Sequence, residues 1–284
     1  MRKFKILVAS TLFLSLAVAC QKDEVAPIEE PTAAEEVVQQ STLELNDEVI
    51  GVFKRNFFNV GNVKVVDFML PDGSYESRYQ VEDDITFSAE QYEILAALNT
   101  TEKNYHTNNL VSSPRTISII GYTGGSNALS SKERTALQYA VNNYNRLNLS
   151  ISFSLTFGTN YQNKDMVVYY NPNASGSGGS AGFPSGGRPF KFVQIYGLDN
   201  FSTDVNEHVI THEIGHSVGF RHTDWFSRQS CGENTNEGVG SIGANPIPGT
   251  PDGYDPTSVM LACFSNNEDG EFNSNDVTAL RYLY

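Results

Sequence analysis

The chain has 284 residues, 39% hydrophobic and 11% aromatic, enough for one large domain or two modest ones around a buried core. Lys and Arg number 19 against 33 for Asp and Glu, a formal charge of −14, which speaks against a protein that lives on nucleic-acid phosphates. Composition also excludes a collagen and a polytopic membrane protein.

Residues 1–19 read as an address, not a fold. Arg2, Lys3 and Lys5 precede an apolar run over residues 6–19, short of the roughly 20 residues that span a bilayer as a helix. The run ends Leu16-Ala17-Val18-Ala19-Cys20, which resembles a bacterial lipobox whose cysteine becomes the lipidated first residue. Gln21-Lys22-Asp23-Glu24 then resembles the acidic export signal of surface lipoproteins. The expected location is the outer membrane or cell surface, through a lipid anchor. An ordinary cleaved signal peptide with an incidental cysteine is the alternative, and it too gives an exported protein. Residues 20–44, with Glu29, Glu30, Glu35 and Glu36, form an acidic tether. Cys231 and Cys263 remain, an even pair that an oxidising compartment favours as a disulfide over two buried thiols.

Residues 45–115 read as a small α+β leader. Residues 63–68 and 79–81 have strand character around the Pro71-Asp72-Gly73 turn, and Ser88-Ala89-Glu90-Gln91 opens a short helix through Leu95. The polar stretch 99–115, ending Ser112-Ser113-Pro114-Arg115, reads as a linker open to nicking.

Residues 116–284 read as a separate α+β domain. Residues 116–122 are a strand. Ser130 and Glu133 offer a capping box for a helix whose apolar positions are Ala136, Leu137, Ala140, Val141 and Tyr144. Strands follow at 149–157 and 166–170, then a Gly/Ser-rich stretch at 175–187 interrupted by Ala181-Gly182-Phe183-Pro184, then a strand at 190–196. Asp204, with Glu207 three residues on, caps a helix to about Val218. No internal repeat appears.

Four of the five histidines lie between His208 and His222, three of them in His212-Glu213-x-x-His216-x-x-Gly219-x-x-His222. Residues four apart on a helix share a face, so two imidazoles reach one ion. Glu213, rotated about 100° from His212, addresses what the ion holds without binding it. Gly219 lets the chain turn out of the helix and bring His222 back as a third ligand. Three neutral nitrogens with one open position describe a catalytic zinc site.

On this motif the sequence resembles the metzincin zinc peptidases, whose histidine motif is followed by a methionine turn. Ser258-Val259-Met260 lies 38 residues beyond His222 and matches that turn. His212-Glu213-Ile214-Gly215-His216 is similar, more narrowly, to the dual-action HEIGH metallopeptidases. The resemblance covers residues 116–284. It implies a twisted, mostly parallel sheet with an antiparallel edge strand, an active-site helix, the methionine turn and a C-terminal helix. It further implies zinc on His212, His216 and His222, Glu213 as the catalytic base, Met260 as an apolar floor, and a peptide or protein substrate laid along Ala181-Gly182-Phe183-Pro184. A flexible glycine loop is the other reading of that last segment. Relatives carrying a tyrosine two residues after the turn methionine differ from this chain, which has Ala262.

Enzymes of this class are held latent by a side chain that displaces the catalytic water. With the cysteines assigned elsewhere, a carboxylate from Glu82-Asp83-Asp84 is the candidate, a solvated acidic turn its alternative. Asp224 fixes its loop, supports a zinc histidine or is an ordinary turn aspartate, and His208 reads as a surface or supporting residue. Ser265, Asn267, Asp269 and Asp276 faintly resemble a calcium loop, against a plain turn and a cap at Ser274 or Asn275. The expected protein is therefore a monomeric, surface-anchored zinc endopeptidase. Its rivals are a non-catalytic binding lipoprotein that retains a zinc site, and a zinc enzyme acting on other bonds.

Overall fold

The computed structural model describes residues 43–55, 58–97, 106–237 and 244–284. Residues 1–19, expected to be a signal sequence, Cys20 and nearly all of the expected tether lie outside the described residues. Contacts gather Thr42–Tyr284 into one compact unit, so leader and C-terminal region are packed together.

In the leader, helix α1 (Asp47–Arg55) precedes strands β1 (Lys64–Met69), β2 (Tyr75–Val81) and β3 (Ile85–Phe87) and helix α2 (Ala89–Ala97). The strands form an antiparallel sheet in the order β1-β2-β3. Val49, Val52 and Phe53 of α1 fall at helical spacing and are buried. The rings of Phe53, Phe58, Tyr79, Phe87 and Tyr92 meet edge-on or tilted at 4.9–5.8 Å between centroids.

Strand β4 (Arg115–Tyr122) starts the second sheet, and helix α3 (Ser131–Asn145) follows with the Ser130–Glu133 capping box in place. Strands β5 (Ile151–Gly158), β6 (Met166–Tyr170), β7 (Gly178–Ser180) and β8 (Phe192–Tyr196) complete a sheet of order β5-β4-β6-β8-β7. All pairs are parallel except β7 with β8. This is the architecture the resemblance implies. The edge strand, however, is Gly178–Ser180, just before the 181–184 segment expected from sequence. The central helix α4 (Thr203–Val218) is capped by the Ser202 hydroxyl, which accepts from Val205 N at 3.1 Å, and not by Asp204.

The linker reading also needs correction. Residues 106–111 already belong to the C-terminal region: His106 N donates to Asn245 O at 2.9 Å, Thr107 N to Gly219 O at 2.9 Å, and Val111 is buried in the main core. Ser112 to Pro114 are exposed, yet Ser112 N is tied to Gly187 O at 2.9 Å.

Helix α5 (Ser274–Leu283) closes the fold with Asn273 as its cap, one or two residues earlier than expected. Asp276 accepts from Ser258 Oγ at 2.7 Å, Val259 N at 3.0 Å and Asn273 N at 3.1 Å, binding the helix to the methionine turn. It therefore faces away from the calcium-like turn, where Ser265 Oγ and Asp269 Oδ1 accept from the local amides of Asn267 and Glu271. Those side chains are not brought together as a ligand set. Asp276→Ala removes two buried bonds and the reciprocal cap bond, and should lower stability by about 2–4 kcal/mol, read as a fall in the urea midpoint.

Cys231 and Cys263 are joined as a disulfide across a sequence separation of 32. In the chain-entropy view a loop of that size contributes about 3–4 kcal/mol. Cys231→Ser with Cys263→Ser should show that loss in unfolding, and peptide mass mapping without reductant should recover the linked pair from native protein.

Candidate metal centre

Every residue of α4 from Val205 to Val218 is buried, because the helix runs beneath the sheet with α3 beside it. His212 and His216 lie one turn apart on it. At its end Gly219 takes φ 114, left-handed, so that its amide closes onto the last carbonyls of the helix and the chain reverses. Phe220 then bridges to His106, and His222 swings back to the helix.

The three rings converge. His216 Nε2 lies 2.9 Å from His212 Nε2 and 3.2 Å from His222 Nε2. Each Nδ1 has an acceptor of its own: Val259 O at 2.9 Å, Phe220 O at 2.8 Å and Glu237 Oε1 at 2.9 Å, respectively for His212, His216 and His222. The Nδ1 atoms therefore carry the protons, and three Nε2 lone pairs face one another in a buried space. That arrangement is repulsive unless a cation sits between them. Zn–N bonds of about 2.0–2.1 Å give tetrahedral N···N edges of about 3.3 Å, so the residues fit zinc in spacing and donor type.

Met260 lies beneath. A Cβ on Gly215 would come within 2.4 Å of Met260 Sδ, so the glycine lets the methionine side chain pack directly against the helix. Glu213 is buried outside the converging set, with Oε2 unpartnered among the described residues. Burial, then the Asp84 charge, pushes its carboxyl well above the usual range. A Cβ on Gly179 would lie 2.4 Å from Glu213 Cγ, so the bare backbone of β7 rests directly on this side chain.

The fourth member of the cluster comes from the leader. Asp84 Oδ2 stands 2.9 Å from His222 Nε2, 3.7 Å from His212 Nε2 and 3.8 Å from His216 Nε2. Burial alone would raise its carboxyl, but the facing imidazole cluster, His222 foremost, holds it well below its ordinary value. Its neighbours are fixed by arginines. Glu82 accepts from Arg221 Nη2 at 3.0 and 3.2 Å, both side chains almost fully buried, and Asp83 meets Arg228 Nη2 at 3.4 Å. Glu82 and Asp84 are thus tied into the protein, while Asp83 between them stays exposed.

Glu237, Arg221 and Arg228 escaped the sequence reading. Glu237, fully buried, holds His222 Nδ1 and also accepts from Arg228 Nη1 at 3.0 Å. Arg221, inside the histidine motif, stands between Glu82 and Glu237. Asp224 has the first of its expected roles. Its carboxylate accepts from Ala262 N at 3.0 Å and from Ser230 N and Oγ at 2.9 and 2.6 Å, fixing the loop to the methionine turn without touching a converging histidine. His208 is buried, not superficial, and lines a cavity of about 420 Å³ beside Glu213 and His212 with Phe201, Val209, Leu261 and Phe264.

Two solved structures of myroilysin are similar to this chain. One has a TM-score of 0.40 at 14% identity, covering 62% of this chain and 82% of that one. The other has a TM-score of 0.37 at 13% identity, covering 60% and 83%. A search of curated proteins returns no match. The family model for the dual-action HEIGH metallo-peptidases matches residues 79–284, from within β2 through the Asp84 turn and the histidine motif to the last residue. The chain belongs to the dual-action HEIGH metallopeptidase family.

Proposed function

We propose that this metallopeptidase is a zinc-dependent endopeptidase, exported as a lipoprotein and latent while Asp84 sits on its histidines. The observation that carries the reading is the convergence of three imidazole lone pairs beside a buried carboxylate outside the ligand set. His212, His216 and His222 would hold the ion. Zinc bound there supplies a Lewis acid that polarises a peptide carbonyl and lowers the pKa of water. Glu213 takes the proton of the attacking water and passes it to the leaving amine. Ala181, whose N–H and C=O now pair with Asp84 O and Thr86 N, each at 2.9 Å, offers the same groups to an extended substrate once the leader strand yields them. The cavity beside Glu213, walled by Phe201, Val209, Leu261 and Phe264, receives a bulky apolar side chain next to the cleaved bond.

The intact, well-packed Glu213 supports hydrolysis over the rival binding lipoprotein, which has no use for a base. The test is a peptide-library digest with zinc-loaded 21–284 protein carrying Asp84→Asn, with and without chelator. Chelator-sensitive cleavage at internal bonds is the expected result, and no cleavage in either arm overturns the reading. Export is tested separately. Cys20→Ser should shift the protein from the detergent-extracted membrane fraction to the soluble one.

A further inference from the structure

The five-stranded sheet has two faces, and the helices cover one. Met166 and Val168 of β6 enter the core with α3 and α4, while Val167 and Tyr169 point to the opposite side. There they join Ile120 and Tyr122 of β4, Tyr161 and Phe192 in a second apolar layer. The remaining members of that layer are Phe68 and Leu70, from the leader hairpin formed by β1 and β2.

The hairpin also satisfies the polar groups of this face. Met69 O accepts from Tyr169 OH at 2.6 Å and from Gln194 Nε2 at 2.7 Å, both side chains being buried. Tyr161 OH donates to Asp72 Oδ2 at 2.9 Å, and Asn127 Nδ2 to Leu70 O at 3.3 Å. Arg78, only 3% exposed, lays its guanidinium 4.0 Å above the Phe68 ring and 5.2 Å from that of Phe192. These contacts are separate from the histidines and from Asp84.

Losing the leader would strip the sheet of its cover. An aromatic side chain buries about 150–250 Å². Uncovering Tyr122, Tyr169 and Phe192 together would open an apolar patch of several hundred Å², the size at which monomers associate or aggregate. Tyr169 and Gln194 would lose the acceptor they share.

We propose that the outer face of the sheet is a permanent docking surface for residues 43–97 of the same chain. A cut between residues 97 and 106 then yields a two-chain complex. Release of the cleft comes from movement of the Glu82–Asp84 turn and β3 while the β1–β2 hairpin stays in place. Docking of this kind is independent of whether the cleft hydrolyses peptides, and native mass reads it without substrate.

The test replaces residues 100–103 of the 21–284 protein with the recognition sequence of a site-specific protease, cuts there, and measures native mass and size-exclusion elution. Both fragments should travel together at the mass of the uncut chain, with or without chelator, and separate only in denaturant. A leader fragment that elutes alone in native buffer overturns the proposal. So does release by chelator alone, because it would place the hold at the metal. In the cut protein, Tyr169→Phe removes one bond to Met69 O without changing shape and should speed leader release at a fixed denaturant concentration about fivefold. Asp84→Asn should leave release within about twofold. Faster release from Asp84→Asn than from Tyr169→Phe would overturn the assignment to the sheet face.

Discussion

Glu213→Gln, in protein whose Asp84 has been changed to Asn, should bind zinc with unchanged stoichiometry and hydrolyse peptides about 10²–10⁴-fold more slowly. The reasoning is geometric. Glu213 lies outside the converging atoms, so its loss subtracts no ligand, whereas His222→Ala removes one of three nitrogens and should let chelator strip the metal. Gln keeps the volume that rests on Gly179, so the edge strand stays where it is. Metal content by elemental analysis and initial rates by peptide cleavage separate the two roles. A Glu213→Gln protein within tenfold of its parent would mean that another group moves the proton.

The parts of this molecule legible in its sequence are those governed by a period. Histidines four apart on a helix must share a face, and a glycine three residues further must let the chain turn. The rings of His212, His216 and His222 accordingly meet. The β6 pattern and the Ser130 capping box are legible for the same kind of reason. The edge strand is misplaced by a few residues because Gly178 and Gly179 have no side chains to alternate. Helix α1 is hidden by Val, Ile and Gly, which read locally as strand or turn, until Val49, Val52 and Phe53 bury together. Glu237 carries no local signal at all. It is a loop acid fifteen residues from His222, and only tertiary folding sets it on Nδ1. Arg221 is visible in the motif, but its need for Glu82 is not, since the two are 139 residues apart.

Asp84→Asn alone should raise hydrolysis by the uncut chain at least about tenfold, because the carboxylate closes a site that needs an open position. Three histidines and one acid within mutual reach make the four-membered set of a structural zinc site; the three histidines without it make a catalytic one. Asn has the same shape but lacks the charge, so the turn keeps its backbone pairing with Ala181 while its hold on a dication falls. Changing all three acids should go further, freeing the turn from Arg221 and Arg228, but Glu82→Gln also disturbs a buried ion pair and is expected to cost stability. The single substitution is therefore the cleaner experiment. Cobalt exchanged for zinc gives a readout apart from activity: its visible spectrum should change between wild type and Asp84→Asn if the carboxylate is a ligand. Equal rates and superimposable spectra would reduce the Glu82–Asp84 turn to a structural element. A changed spectrum with a faster uncut enzyme would make Asp84 the latch, and Arg221 and Arg228 the side chains that hold it closed.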